Sequence, residues 1–176
     1  MRKLKMEELN RVGVEQFRKQ EKLPVVCVLD NIRSQHNIGS IFRTADAFNV
    51  SKVILCGITA TPPNREISKT ALGATESVEW KYYDTVLAAI DELKDDGYQI
   101  VAVEQAEGSL PLQRFVPEKG EKLALVFGNE VMGVSDQAME IADACIEIPQ
   151  FGTKHSLNVS VTAGIILWAF FMRTIE

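Results

Sequence analysis

Short apolar runs alternate along the chain with stretches in which apolar residues recur three or four positions apart. This alternation predicts strand-helix-strand units around a parallel sheet, which is an α/β fold. Nearly all of the runs are continuous rather than interleaved with polar residues, so the sheet is expected to be covered on both faces. The predicted strands are Val25 to Leu29, Lys52 to Cys56, Val78 to Tyr82, Tyr98 to Glu104, Leu123 to Phe127 and Cys145 to Ile148.

Helical spacing and capping residues mark the segments between these strands. Asp84 is expected to cap the helix that begins at Thr85, Gly97 to end that helix, and Ser135 to cap the next one. The last helix is apolar around most of its circumference, which predicts that the sheet and a second subunit enclose it. The predicted helices are Met6 to Glu21, Ile38 to Phe48, Arg65 to Leu72, Thr85 to Asp95, Asp136 to Ile141 and Ser156 to Arg173.

Length and composition indicate one globular domain, with 176 residues of which 46% are hydrophobic. The longest apolar stretch, Ala163 to Met172, is too short to cross a bilayer, and acidic residues rather than an apolar signal core follow the basic N-terminus. We therefore expect a cytoplasmic protein with no membrane partner. Three cysteines inside apolar runs, Cys27, Cys56 and Cys145, predict buried side chains and neither a disulfide framework nor a metal site.

Charge is unevenly distributed along the chain. The net charge of −5 argues against a protein that coats nucleic acid through its overall charge. Residues 1–22 nevertheless carry seven Lys or Arg against four Glu, a net charge of +3 that leaves −8 for the remainder. This basic arm contacts a polyanion in one interpretation and forms a solvated amphipathic helix in the other.

The first of three unusual segments spans residues 30–48. It follows a predicted strand and opens a helix, which is where ligands meet open parallel sheets. Gly39 and Arg43 lie four positions apart, so the absent side chain at 39 is expected to leave exposed backbone and room for Arg43. Arg43 then meets a phosphate or, in the alternative, pairs with Asp46 at helical spacing.

The second segment, residues 125–135, is a strand that runs into a loop with glycines at positions 128 and 133. These glycines are expected to let the backbone approach a ligand closely. Neither a P-loop nor a Gly-x-Gly-x-x-Gly fingerprint occurs, so nucleoside triphosphates and dinucleotides are not indicated. Glu130 either orients a basic partner or ligand, or is a solvated turn residue.

The third segment, residues 148–164, enters the last helix with four small polar residues. Such residues are poor formers of helix interiors. They predict a capped turn, with Ser156 as the cap, beside a site where hydrogen-bonding groups face a ligand. The four are Ser156, Asn158, Ser160 and Thr162.

Three motifs occur in order in these segments: Asn37-x-Gly39-x-x-x-Arg43, Phe127-Gly-Asn-Glu-x-x-Gly133-x-Ser135 and Ile148-Pro-x-x-Gly152-x-x-x-Ser156-Leu-Asn-Val-Ser160. Together they resemble the SpoU (TrmH-like) family of the SPOUT superfamily of RNA methyltransferases. The resemblance implies a methyltransferase domain over residues 24–176, with residues 1–23 as a basic helical extension. It also implies a parallel-sheet SPOUT fold with a C-terminal deep trefoil knot, an exception to the rule that chains do not thread loops.

The resemblance further implies ribose 2′-O-methylation of structured RNA, with S-adenosylmethionine as methyl donor and S-adenosylhomocysteine as product. Backbone groups would hold the cofactor, so apolar side chains can pack on the adenine face while their main chains form hydrogen bonds. The implied cofactor-binding residues are Val103, Glu104, Gly128, Asn129, Gly133, Ile148, Ser156 and Leu157.

In such a reaction the 2′-hydroxyl must lose its proton as it attacks the sulfonium methyl, so the site needs a proton acceptor and accurate placement. The family pattern implies Arg43 for this step. Arg43 acts either as a base in a special environment or as an electrostatic stabiliser of the developing oxyanion. His36 and His155 are bystanders or phosphate contacts.

The remaining implied catalytic residues have supporting roles. Asn37 would fix Arg43 or the ribose, and Glu130 would orient the neighbouring network. Ser156 and Asn158 would position the target nucleotide or the loop of the first motif.

Family members act as dimers, so a homodimer is expected, in agreement with the apolar last helix. The short chain ahead of the first strand leaves recognition to the catalytic dimer, which favours tRNA over rRNA. The alternative function is a noncatalytic RNA- or cofactor-binding member with the same knot. The residues expected to contact RNA are Arg2, Lys3, Lys5, Arg11 and Arg43.

Overall fold

The computed structural model describes residues 1–175 and contains one parallel sheet. In these residues the strands lie side by side in the order β3-β2-β1-β6-β4-β7-β5. Every neighbouring pair is parallel, which confirms the α/β fold. The strands are β1 (Leu23–Asp30), β2 (Val50–Cys56), β3 (Glu79–Tyr83), β4 (Gln99–Val103), β5 (Leu110–Pro111), β6 (Leu123–Phe127) and β7 (Ala144–Glu147).

Helices cover both faces of the sheet. The helices are α1 (Val14–Lys19), α2 (Gln35–Ala47), α3 (Arg65–Ala71), α4 (Ala74–Ser77), α5 (Val86–Asp95), α6 (Asp136–Ile141) and α7 (Val159–Ile175), with 3₁₀ turns at Met6–Leu9 and Leu112–Arg114. One core contains α2, α3 and α7 against alternate strand residues such as Cys27 and Leu29, and the other contains α5 and α6 against Val26 and Val28. Because successive strand residues point to opposite faces, a continuous apolar run supplies both cores.

All six predicted strands are present to within a residue or two, whereas β5 and α4 were not predicted. Neither missed element has a pattern long enough to detect, since β5 has two residues and α4 has four. The predicted cap at Asp84 is wrong, because the Thr85 hydroxyl accepts the Ala88 N–H at 3.2 Å. Gly97, with φ +79°, ends α5 as predicted.

The N-terminal helix predicted over Met6 to Glu21 is wrong as a single element. A 3₁₀ turn and α1 are separated at Asn10, whose φ is +46°, and α1 begins only after Gly13. Both residues leave helical geometry readily, since Asn tolerates the left-handed region and Gly is permissive. Phe17 of α1 is buried in the core.

The last helix begins later than predicted, at Val159 rather than Ser156. Its cap is Asn158, whose Oδ1 accepts the Ser160 N–H at 2.9 Å and whose carbonyl accepts the Thr162 N–H. Ser156 is exposed, and its side chain makes no capping hydrogen bond among residues 1–175. The outer face of α7 has an exposed apolar stripe of Val161, Ile165 and Trp168. Glu176, the last residue of the methyltransferase domain predicted from the sequence, lies outside the described residues.

Cysteine placement follows the prediction at two of three sites. Cys27 and Cys56 are buried in the sheet, and desolvation raises the pKa of each thiol to about 12. Cys145 is half-buried and its Sγ donates to the Glu104 carbonyl. Across residues 1–175 we find no helix long and apolar enough to span a membrane and no cluster of three metal-ligating side chains.

Gly39 serves helix packing rather than exposing backbone for Arg43. It is buried where α2 crosses α3, and a Cβ at this position would overlap the Ile67 carbonyl oxygen and the Thr70 hydroxyl. The expectation of exposed backbone at Gly39 is therefore wrong. The two helices approach closely because this side chain is absent.

Gly39→Ala is expected to lower the free energy of unfolding by about 1–2 kcal/mol. The overpacking that the new methyl group causes destabilises the fold by more than the higher helix propensity of alanine stabilises it. Urea unfolding followed by circular dichroism measures this change. Gly152→Ala is the matched control, because a Cβ there meets no atom within 4 Å. Equal stability of wild type and Gly39→Ala would contradict the packing role.

Candidate active site

A cleft of about 760 Å³ lies at the C-terminal edge of the sheet. Residues after β4, β6 and β7 line it, together with the approach to α7. Ligands of open parallel sheets bind at this edge. All eight residues expected to bind the cofactor lie on its walls, namely Val103, Glu104, Gly128, Asn129, Gly133, Ile148, Ser156 and Leu157.

The loop after β6 is shaped by contacts within the protein. The backbones of Asn129 and Gly133 exchange two N–H···O hydrogen bonds of 2.9 Å. A Cβ on Gly128 would overlap the backbone of Gly133 and Val134. Both glycines line the cleft, and the absent side chain at Gly128 also allows two parts of the loop to approach each other closely.

Glu104 holds the far side of the same loop. Its carboxylate accepts the Val134 N–H at 3.0 Å and the Gln105 N–H at 2.9 Å. Gly133 has φ +72°, and a Cβ there would overlap a Glu104 carboxylate oxygen. Glu104 thus fixes the loop as well as lining the cleft.

Two further side chains join the loop to the end of β1. Asn129 Nδ2 donates to the Asn31 carbonyl at 2.7 Å, while Asn129 Oδ1 accepts the N–H groups of Val131 and Met132. Asp30, only 1% exposed, accepts the Ser135 N–H at 2.9 Å and the Asn31 amide at 2.7 Å. Sequence reasoning missed Asp30, for which a carboxylate at the end of an apolar strand was the available signal.

Glu130 belongs to the loop after β6, and its carboxylate lies against the N-terminus of α2. Its carboxylate accepts the backbone N–H groups of Arg33 and Ser34 and the Asn37 side-chain amide, each at 3.0 Å. Desolvation opposes its ionisation, but these hydrogen bonds outweigh it and lower the pKa of Glu130 below the ordinary value. The partial positive charge at the helix end favours the same ionised state.

A chain of side-chain hydrogen bonds connects the three motifs. Asn37 donates to Glu130, and Asn37 Oδ1 accepts from Asn158 Nδ2 at 3.1 Å. Asn158 in turn accepts the Ser160 hydroxyl at 2.6 Å. Residues more than 90 positions apart in sequence thereby form one network beside the cleft, which we call the asparagine relay (Glu130, Asn37, Asn158).

Glu130→Gln tests the ionic part of this network. A lowered folded pKa means that ionised Glu130 contributes stability above its unfolded pKa of 4.5, and that this contribution is lost as pH falls through the folded pKa. Unfolding free energies measured from pH 7 to pH 3 are therefore expected to show a wild-type advantage that shrinks below about pH 4.5. Glu140→Gln, on an exposed face of α6, is the control. An advantage that does not change with pH would contradict the assignment.

Arg43 lies outside the cleft formed by its own chain. It is exposed, and no hydrogen bond or ion pair to its side chain is found among residues 1–175. The alternative pairing with Asp46 is wrong, because Asp46 accepts a hydrogen bond from Ser77. Asn37 bonds to the relay and not to Arg43, which lies six residues further, about 9 Å along the helix axis.

The segment 149–157 borders the cleft on the side of the third motif. Among the described residues its one hydrogen bond is from Gln105 Nε2 to the His155 carbonyl, at 2.7 Å. Sequence reasoning missed Gln105, which follows directly after the expected Glu104. His36 lies elsewhere, with its Nε2 at 3.1 Å from Glu66.

The basic arm is partly neutralised within the chain. Arg2 forms two hydrogen bonds, of 2.8 and 2.6 Å, to the Glu8 carboxylate. This pairing lowers the pKa of Glu8 to about 2. Lys3, Lys5 and Arg11 are exposed.

Two other basic residues near the arm also bond within the chain. Arg18 donates to the Glu76 carbonyl, and Lys22 donates to the Phe17 carbonyl at 2.6 Å. Both precede β1, so they lie at the N-terminal edge of the sheet, away from the cleft.

An open parallel sheet with a loop-built cleft at its C-terminal edge places the protein in the class of α/β proteins that bind their ligands at this edge. The model of the SpoU rRNA Methylase family matches residues 24–168, and the chain belongs to that family. A TrmH family protein of Staphylococcus saprophyticus is 35% identical over 160 residues. A 23S rRNA (guanosine-2′-O-)-methyltransferase of Neisseria meningitidis is 35% identical over 144 residues.

The aligned regions cover 91% and 82% of this chain, but only 63% and 56% of those two relatives. Solved structures agree with the fold. A TrmH/SpoU tRNA modifying enzyme of A. aeolicus superimposes with a TM-score of 0.80 at 30% identity, over 93% of this chain and 83% of that one. An AdoMet-bound rRNA methyltransferase from Sinorhizobium meliloti gives 0.80 at 28% identity, over 90% and 62%.

Proposed function

We propose that this protein transfers a methyl group from S-adenosylmethionine to a ribose 2′-hydroxyl of a structured RNA, tRNA in preference to rRNA. The observation that carries the proposal is the asparagine relay, which joins the three family motifs at the rim of the cleft. A relay of this kind places side chains accurately, as methyl transfer requires.

The cleft has the size and lining that S-adenosylmethionine needs. Its volume falls within the usual range for small-molecule sites, about 300–1,000 Å³. Ile148 and Leu157 offer apolar walls for an adenine ring, and Gly128 keeps the loop backbone close. The AdoMet-bound relative from Sinorhizobium meliloti supports this assignment. When bound, the cofactor supplies an electrophilic methyl on a sulfonium centre.

The chain's own residues position the acceptor and handle its charge. Asn37 and Asn158 order the N-terminus of α2 beside the cleft, and Glu130 anchors that terminus through two backbone N–H groups. Arg43 would stabilise the oxyanion that develops at the ribose 2′-oxygen or accept its proton. Because Arg43 lies outside its own cleft, we propose that it serves the cleft of a second copy.

A homodimer built on α7 would bring that second copy into place. Val161, Ile165 and Trp168 are 49%, 38% and 50% exposed, a density of apolar surface that favours burial against a partner. α7 packs on α2, the helix that carries Arg43. The C-terminal trefoil knot belongs to the same proposal and is supported by the similarity to SpoU family structures.

Light scattering is expected to give about twice the chain mass of 19.6 kDa. Trp168→Asp places a charge in the apolar stripe and is expected to shift the mass toward the monomer. Val116→Asp, at another exposed apolar position, is the control. A wild-type mass near 19.6 kDa would overturn the homodimer.

The function is tested by transfer of tritiated methyl from S-adenosylmethionine to RNA from cells that lack the protein, with tRNA and rRNA assayed separately. Label in tRNA is the expected result. Label in rRNA alone would support the methyltransferase activity and would contradict the preference for tRNA. No label in either pool, with cofactor binding intact, would support the noncatalytic alternative.

A further inference from the structure

Two arginines that the motifs do not include lie at the N-termini of α2 and α3, which follow the C-terminal ends of β1 and β2. Arg33 lies between β1 and α2, and Arg65 is the first residue of α3. Both are exposed, and within residues 1–175 neither side chain makes a hydrogen bond or an ion pair. The protein has a net charge of −5, whereas these two unpaired guanidinium groups carry positive charge at the C-terminal edge of the sheet.

Contacts through α2 and α3 place these arginines on one surface. The backbone N–H of Arg33 donates to the carboxylate of Glu130, which lines the cleft, so Arg33 lies next to the cleft mouth. The Nε2 of His36, the second residue of α2, lies 3.1 Å from the carboxylate of Glu66, the neighbour of Arg65. The Thr70 hydroxyl also donates to the His36 carbonyl at 3.0 Å.

The two acidic residues of this surface, Glu66 and Glu130, do not neutralise the charges of the arginines. Glu66 pairs with Lys69 at 2.6 Å and with His36, and these partners lower the pKa of Glu66. The Glu130 carboxylate is turned to backbone N–H groups. The arginines therefore present uncompensated positive charge to solvent.

We propose that Arg33 and Arg65 form a phosphate-binding track that guides the RNA backbone to the cleft. The proposal rests on the proposed function. A ribose that reaches the cleft brings its flanking phosphates across this surface, and the planar guanidinium fork matches phosphate oxygens. The track stands at the same edge as the cleft, whereas Arg18 and Lys22 lie at the opposite edge and bond within the chain.

Salt dependence of RNA binding tests the track. Fluorescence anisotropy measures the affinity of the 176-residue chain for labelled bulk tRNA between 50 and 200 mM KCl. Arg33→Ala and Arg65→Ala are each expected to weaken binding and to reduce the slope of log Kd against log salt by about 0.7–0.9, the value for one phosphate contact. Arg33→Lys is expected to retain most of the slope, because lysine also neutralises a phosphate.

Lys119→Ala is the matched control, since Lys119 is exposed and precedes β6 at the opposite edge of the sheet. Cofactor affinity is expected to be unchanged in every variant. An unchanged slope in both arginine variants, an equal loss in Lys119→Ala, or a changed oligomeric mass would overturn the track. Because binding is measured without methyl transfer, a wild type that binds but does not methylate contradicts the proposed function and not the track.

Discussion

Arg43→Ala is expected to bind S-adenosylmethionine as the wild type does, while its rate of methyl transfer to RNA falls about 10²–10³-fold. The cofactor affinity stays because Arg43 does not line the cleft and forms no hydrogen bond that shapes it. The rate falls because the developing oxyanion loses its cationic partner. Calorimetric titration of the cofactor and single-turnover methyl transfer separate the two effects.

Arg114→Ala is the control for this substitution, because Arg114 is also exposed and lies outside the cleft. It is expected to leave both cofactor affinity and methyl-transfer rate unchanged. A near-normal rate in Arg43→Ala would remove Arg43 from the reaction. A lost cofactor affinity would instead assign Arg43 to cofactor binding.

Gly128→Ala is expected to weaken cofactor binding about tenfold to a hundredfold. Its new Cβ would overlap the backbone of Gly133 and Val134, which cannot move aside as a flexible side chain does. The loop after β6 must then open, and the cleft wall opens with it. Calorimetric titration with S-adenosylmethionine measures the loss, and circular dichroism confirms that the variant is folded.

Gly152→Ala, in the segment that borders the other side of the cleft, is the control, since its Cβ would meet no neighbour within 4 Å. Normal cofactor affinity in Gly128→Ala would mean that the loop after β6 does not form part of the cofactor-binding site. If Gly128→Ala failed to fold, Glu104→Gln would test the same loop through the Val134 N–H bond, with a smaller loss expected.

Mixing these two impaired variants tests where Arg43 acts, provided that the cofactor concentration saturates the wild-type cleft but leaves the Gly128→Ala cleft largely empty. A mixed dimer of Arg43→Ala and Gly128→Ala contains one intact cleft and one Arg43 on the opposite chain. Recovered methyl transfer is expected if Arg43 serves the partner's cleft. Absence of recovery, with mixed dimers shown to form, would place Arg43 at its own cleft.

The strands were predictable because each buried strand of a doubly covered sheet is a continuous apolar run, as in Val25 to Leu29. The broken N-terminal helix was not, because Asn10 and Gly13 weaken a helix without forbidding one, and only tertiary contacts decide. Similarly, small polar residues before α7 indicated a cap, but not that Asn158 rather than Ser156 supplies it.

At the site, sequence reasoning brought together the cleft residues but misjudged what several of them contact. Gly39 was expected to make room for Arg43, yet the space left by its missing side chain is filled by the Ile67 carbonyl and the Thr70 hydroxyl. A sequence shows where a side chain is missing and not which neighbour fills the space. Likewise Asn37 was expected at Arg43 or the ribose, and its observed partners are 93 and 121 positions away in sequence.

Alkaline hydrolysis of methylated RNA distinguishes methylation of the ribose 2′-hydroxyl from methylation of a base. RNA labelled by the wild-type protein with tritiated methyl is digested in alkali and its products are separated by size. A methylated 2′-oxygen cannot assist cleavage of the adjacent phosphodiester, so label is expected in alkali-resistant dinucleotides. Label confined to mononucleotides would mean methylation of a base and would contradict the ribose 2′-hydroxyl as the acceptor.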